Sequence, residues 1–274
     1  MLRVMTLNIW NLSGDWAARL VEIVAWIERL DPDVVCLQEV VALDDGDNQA
    51  ALLAERTGRH AAYGRGGAFK GGTWGVAVLS RWPVDRTAVT ALTPLDTPDE
   101  YRVLLHTRTA GIDVFCTHLQ WQLHHGYVRK AQIGQIVQAI EAQTAPASPL
   151  PPILAGDLNA QPDSDEIRFL CGLATLEGRS TFFQDAWRVA GGTGPGWTWD
   201  NRNSFAANDR EPNRRIDYVL VGWRRDDGAG VVESARVVCD RALTGTFASD
   251  HFGLVADIAT TATNSPRTTT GAQT

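Results

Sequence analysis

Apolar residues along this chain fall into short alternating runs and a few longer stripes. "LRVMTLNIW" alternates like a strand, and "DPDVVCLQEV" reads as a buried one. Between them, "DWAARLVEIVAWIERL" sets Trp16, Leu20, Ile23, Val24 and Ile27 at helical spacing behind Asp15, a candidate N-cap. "NQAALLAERTG" predicts a short helix closed by Gly58. Strand-like runs follow in "TWGVAVLS" and "PVDRTAVTAL", then in the hairpin "YRVLLHTRTAGIDVFCTHL", which turns near Gly111. Glycine-rich "GRGGAFKGGTWG" predicts a mobile hairpin, since it lacks the strand and helix context of a phosphate-binding loop.

The second half repeats the first half's order of elements. "YVRKAQIGQIVQAIEAQ" carries a helical stripe of Val128, Ile133, Ile136, Val137 and Ile140. "TAPASPLPP" is a stiff connector, and "ILAGDLNA", "RRIDYVLVGW", "GVVESARVVCD" and "FGLVADI" predict further strands, with a short helix after Asp163. Strands outnumber helices and helices occur in both halves. The fold class is therefore α+β, with two mixed or mainly antiparallel sheets packed face to face and helices outside. Residues 260–274 lack large apolar side chains and are predicted to be disordered, leaving 1–259 as one domain.

Composition narrows the functional classes. With 274 residues, 44% of them hydrophobic, the chain can bury a substantial core. No apolar stretch is long enough to span a membrane, and the first residues read as a strand rather than a leader, so a cytoplasmic protein is expected. Cys36, Cys116, Cys171 and Cys239 are scattered without a CxxC pair and are expected to be buried free thiols. A net charge of −7 argues against a broadly basic nucleic-acid surface, although bound cations at a carboxylate-rich site would supply the missing charge.

Polar groups collect at the strand ends: Asn8, Glu39, His118, Asp157 with Asn159, Asp217, and Asp250 with His251. Singly, a carboxylate there is usually a cap and a histidine usually structural. Together they are costly to bury unless paired or holding a cation. Oxygen donors without cysteine or paired-histidine motifs suit a hard cation such as Mg²⁺ or Mn²⁺. The i, i+2 spacing of Asp157 and Asn159 predicts one strand face carrying both. With the histidines, this is a parts list for metal-assisted hydrolysis of a phosphate ester.

In order, "TLNIW", "DVVCLQEV", "THL", "GDLNAQP", "RRIDYVLV" and "SDHFGL" resemble the endonuclease/exonuclease/phosphatase superfamily, over about Leu2 to Ile258. The resemblance implies a four-layer α/β/β/α sandwich with its site at one edge of the two packed sheets. It implies Glu39 as the main ligand of a divalent ion, with Asn8 beside it, ligating or orienting, and Asp250 at a second or shared metal position. Asp157 would orient and deprotonate the attacking water, and Asn159 would donate to a phosphate oxygen. His251, held by Asp217, would bond the phosphate, and His118 would contact it and assist the leaving group.

"TWD…NS" before "IDY" looks like the neutral sphingomyelinase and tyrosyl-DNA phosphodiesterase-like branches. Trp197, Trp199, Asn203 and Arg214 are then expected along the substrate cleft, and Arg129, opening the helix after His118, is expected to reach a phosphate. Packing beneath a long loop is the alternative for both tryptophans. The implied protein is a Mg²⁺- or Mn²⁺-dependent phosphoester hydrolase, monomeric and without a stable protein partner. Its substrate would be nucleic acid, a phospholipid head group or a small phosphodiester. Two alternatives stand beside that reading: a sphingomyelinase-like phospholipid phosphodiesterase, and a binding protein that kept the fold without catalysis.

Overall fold

Alternation along each strand decides where the layers meet. The computed structural model describes residues 1–46, 48–92 and 101–261, so the tail predicted as disordered lies outside the described residues from 262 onward. One sheet contains β1 (Leu2–Asn8), β2 (Val34–Leu43), β3 (His60–Phe69), β4 (Gly72–Ser80), β11 (Val232–Val238) and β12 (Gly253–Ile258) in the order β11-β12-β1-β2-β4-β3. The other contains β5 (Val84–Ala91), β6 (Val103–Thr109), β7 (Ile112–His118), β8 (Ile153–Asp157), β9 (Gln184–Asp185) and β10 (Asp217–Val221) in the order β5-β6-β7-β8-β10-β9.

The two sheets are built alike. Each has one parallel pair at its centre, β1 with β2 and β7 with β8, and antiparallel strands on either side. Each parallel pair is bridged by a helix, α1 (Trp16–Leu30) or α3 (Gly126–Gln143), because a parallel return needs a crossover. The repeated order of elements in the sequence is this repeated topology.

Inward-facing residues of both sheets, among them Val4, Cys36, Val78, Val114, Ile153 and Val219, form one core between them. The opposite face of the first sheet packs Met5, Leu7, Val35 and Leu37 against Ile23, Trp26 and Ile27 of α1, and against Leu53 of α2 (Gln49–Thr57). The opposite face of the second packs Phe115, Leu154 and Leu220 against the α3 stripe and α4 (Asp165–Leu170). The layers are therefore helix, sheet, sheet, helix, as expected.

Local signals placed the helix ends correctly. Asp15 caps α1 through Ala18 N at 3.1 Å, and Gly58 ends α2 in the left-handed region. The glycine-rich segment is the edge hairpin of β3 and β4, turning at Lys70–Gly71. Two-residue β9 and the following α5 (Ala186–Ala190) carry too little periodicity to be predicted. All four cysteines are buried and free. Among the described residues, no helix is long and apolar enough to cross a membrane.

Candidate active site

The inward-facing series change character at one rim of the sandwich. Along β1 it runs Leu2, Val4, Thr6, Asn8; along β7, Ile112, Val114, Cys116, His118; along β8, Ile153, Ala155, Asp157. Asp217 begins β10 directly opposite Asp157, and His118 pairs Asp157 from the other side, so three adjacent strands present His118, Asp157 and Asp217 in a row. The C-terminal ends of both parallel pairs open at this rim, where ligand sites of such sheets form. Gly156 makes the close pairing possible: a Cβ there would stand 2.0 Å from Thr117 O.

Glu39 reaches the same rim through a β-bulge. It is the extra residue between Gln38 and Val40 in the β2–β4 ladder and has φ 57°. The bulge shifts the alternation, and non-glycine residues held in this region cluster at functional sites. Asn8 Nδ2 bridges the two sheets, donating to Glu39 Oε1 at 3.2 Å and Asp157 Oδ2 at 3.1 Å, while its Oδ1 accepts from Trp10 N. Of the two roles expected for Asn8, orienting is the one this geometry favours. Asn11, which the sequence did not single out, donates Nδ2 to Glu39 Oε2 at 2.8 Å.

Asp157 and Asn159 do lie together, but not on one strand face. β8 ends at Asp157, and Asn159 follows with φ 49°. Its N–H donates to Asp157 Oδ1 at 2.9 Å, and the tight turn, not the pleat, joins the pair. Asn159 Nδ2 donates to His118 Nε2 and to Leu119 O, both at 3.1 Å. His118 Nε2 is thus an acceptor, consistent with a pKa held well below the ordinary value by burial, then by Arg102 and His251.

Asp250 and His251 arrive on the loop before β12. Buried Asn203 fixes that loop, donating to Ser249 O at 2.7 Å and Asp250 O at 3.1 Å. The Asn203 amide is thus engaged by that loop, and Asn203 is not among the residues lining the cleft described below. Arg19, fully buried, donates to the carbonyls of Ile9, Trp10, Asn11, Ser13 and Ala248. One guanidinium thereby ties the Asn11 loop to the segment leading into Asp250.

His251 Nδ1 lies 3.0 Å from Asp217 Oδ2, and its Nε2 lies 3.7 Å from Asp157 Oδ2. Asp157, Asp217 and His251 each offer an atom within 4.8 Å of the others. Burial alone would lower the His251 pKa, but Asp217, Asp157 and Asp250 together raise it to about 10. Burial, reinforced by Asp217 and opposed by His251, lifts Asp157 to about 7. Burial lifts Asp250 to about 6, with His251 opposing and Glu39 adding to the rise. Glu39 and Asp250 line one cleft, close enough for the charge of Glu39 to be felt by Asp250, and oxygen donors of this kind suit a hard divalent cation.

A cleft of about 220 Å³ opens over these groups, lined also by Trp199, Arg214, Asp209 and Glu211. Trp199 packs edge-on to His251, 5.0 Å between centroids, and pairs with Arg214 through the backbone. Arg214, ion-paired with Glu211, presents a buried Nε with no partner among the described residues. Trp197 is more exposed and is not among the residues lining this cleft. Arg129 stands elsewhere: its guanidinium is engaged by Glu166 at 3.0 Å and by the carbonyls of Gln120, Gln122 and Leu123. A buried ion pair beneath the loop has replaced the expected phosphate contact, because Glu166 of α4 neutralises it.

The sequence profile of the endonuclease/exonuclease/phosphatase family matches residues 5–251. The chain belongs to that family. Its members are generally phosphoester hydrolases. A curated relative, protein angel homolog 2 of Danio rerio, is 28% identical over 174 residues, covering 57% of this chain. The chain spans about 30% of that relative's length. A solved endonuclease/exonuclease/phosphatase from Beutenbergia cavernae is 26% identical with a TM-score of 0.69, over 94% of this chain and 71% of that one. Truncated Caenorhabditis elegans TDP2 shares the fold at 22% identity and a TM-score of 0.66, over 94% and 97%.

Proposed function

We propose that residues 1–259 act as one catalytic unit that hydrolyses a phosphoester with the help of Mg²⁺ or Mn²⁺. The observation that carries this reading is the convergence, at one inter-sheet rim, of Asp157, the His251–Asp217 pair and the carboxylates Glu39 and Asp250 that line the same cleft. Glu39 and Asp250 would hold the cation, with Asn8 and Asn11 orienting Glu39. The cation would neutralise charge on a phosphate oxygen, which this otherwise acidic cleft cannot do alone.

Asp157 would take the proton of the attacking water. Its pKa near neutrality is the range in which a general base works best. His251 in its charged form would bond a phosphate oxygen, with Asp217 fixing its ring, and Arg214 would supply a second positive charge at the cleft wall. Neutral His118, held by Asn159, would stand beside the scissile bond. Water adds to phosphorus, the P–O ester bond breaks, and the leaving oxygen takes a proton.

The test is turnover of bis-p-nitrophenyl phosphate with Mg²⁺ or Mn²⁺, with EDTA, and with Asp157→Asn. We expect EDTA to abolish turnover and the substitution to lower kcat by on the order of 10² or more in a folded protein. Asp157→Asn activity within a few-fold of wild type would overturn the assigned role.

A further inference from the structure

Beside the cleft lies a second hollow of about 340 Å³, lined by Phe69, Trp74, Arg102 and Trp121, and by Asn11, Glu39 and His118 on the shared side. Four residues, Asn11, Glu39, His118 and Trp121, line both spaces, so the hollow opens directly onto the reacting centre. Its size falls in the range of roughly 300–1,000 Å³ typical of small-molecule sites. None of its aromatic residues packs in the main cores.

The chemistry of the lining selects an occupant. Trp121 lines both spaces and is 53% exposed, so part of its ring is open to a ligand. Trp74 meets His118 edge-on at 5.8 Å, and the Arg102 guanidinium lies 4.6 Å from the Trp74 ring centre. A quaternary ammonium head group is held by aromatic faces left free for a cation. Here a cation already occupies the Trp74 ring, and its charge would repel another. A neutral planar ring gains from both kinds of wall, because aromatic and guanidinium planes both stack on it.

Charge limits the rest of the substrate. Among the described residues, the lysine and arginine side chains lining the two hollows are Arg102 and Arg214. Long nucleic acid binds through many phosphate contacts, and two basic side chains line these hollows among the described residues.

We infer that Phe69, Trp74, Arg102 and Trp121 form a nucleobase subsite, and that the substrate is a nucleoside phosphoester of about mononucleotide size. This rests on the phosphoester-hydrolase reading and adds the group attached to the phosphate.

Three diesters with the same leaving group separate the possibilities: the p-nitrophenyl esters of thymidine 5′-phosphate, of phosphocholine and of methyl phosphate. In each, water adds to phosphorus and p-nitrophenolate departs, so one absorbance reads all three. Wild type should favour the thymidine ester, and Trp121→Ala or Phe69→Ala should lower the thymidine-to-methyl ratio of kcat/KM about tenfold, as loss of a base-stacking ring does. Preference for the phosphocholine ester, or ratios unmoved by both substitutions, would overturn the subsite. Calorimetry with thymidine 5′-monophosphate and with phosphocholine, in Mg²⁺, reads the subsite without turnover. Binding of the nucleotide that requires Trp121, with no ester hydrolysed, would sink the hydrolase reading and keep the subsite. Hydrolysis without nucleotide binding would do the reverse.

Discussion

Asp217 Oδ2 lies 3.0 Å from His251 Nδ1, and both side chains are buried, His251 at the floor of the cleft. That contact keeps the imidazole charged against the cost of burial. Asp217→Asn removes the charge but keeps the shape. We expect the His251 titration, followed by NMR of its ring carbon, to fall from about 10 toward or below its ordinary range, with weaker phosphate binding. An unchanged titration would show that Asp157 and Asp250 suffice.

Stability without added metal should fall as pH rises. Asp157 at about 7 and Asp250 at about 6 both stand above the ordinary 3.8. The folded state thus holds protons that the unfolded state has released, and it loses this advantage as pH climbs through those values. His251, raised from 6.5 to about 10, extends the decline into the alkaline range. Mn²⁺ should therefore raise Tm more at about pH 8 than at about pH 5, and Asp157→Asn should stabilise the metal-free protein most at the higher pH. Equal shifts at both pH values would contradict the assignment.

Asn11 lines the cleft and holds Glu39 there. Asn11→Ala leaves Glu39 Oε2 without its 2.8 Å donor, and metal affinity should weaken by roughly 10- to 100-fold, the usual loss for such outer partners. Calorimetric titration with Mn²⁺ checks this; an unchanged Kd would remove Asn11 from the site.

Arg19 is a folding and positioning residue at once. Arg19→Met strands five backbone carbonyls and should cost about 3 kcal/mol or more in urea unfolding. Arg19→Lys should recover little, because an ammonium cannot span the guanidinium's fork of acceptors. Full recovery by lysine would show that charge alone matters.

Two arginines flagged together by the sequence should separate in the test tube. Arg129→Met should destabilise by roughly 3 kcal/mol, through the uncompensated Glu166, while leaving KM near wild type. Arg214→Met, at the cleft wall, should raise KM with a smaller effect on unfolding. Matching effects would place both in one role.

What was legible in the sequence was what depends on neighbours along the chain. The α1 and α3 stripes, the Asp15 and Gly58 caps and the inward alternation of β1, β7 and β8 are local, and they led to the layers and the rim. What escaped depends on partners distant in sequence. Arg19 looks like an ordinary helix arginine until the Ala248 carbonyl arrives from 229 residues away. Arg129 looked available because Glu166 lies on another helix, and Asn203 because the carbonyls it holds belong to the "SDH" loop. The bulge at Glu39 and the turn at Asn159 are backbone departures that residue type does not announce, so the residues singled out in the sequence meet by a different geometry.

The split of the site between the sheets bears on how the protein acquires activity. Asn8 and Glu39 come from one sheet, and His118, Asp157 and Asp217 from the other. Neither half-sandwich carries the whole proposed constellation by itself, and the Asn8 bridge can close only after the inner faces have met. During refolding, regain of cation binding should trail the return of secondary structure and coincide with the final docking step. On the proposed reading, chemical competence would be a proofreading mark of complete assembly, and partly folded species should be inert.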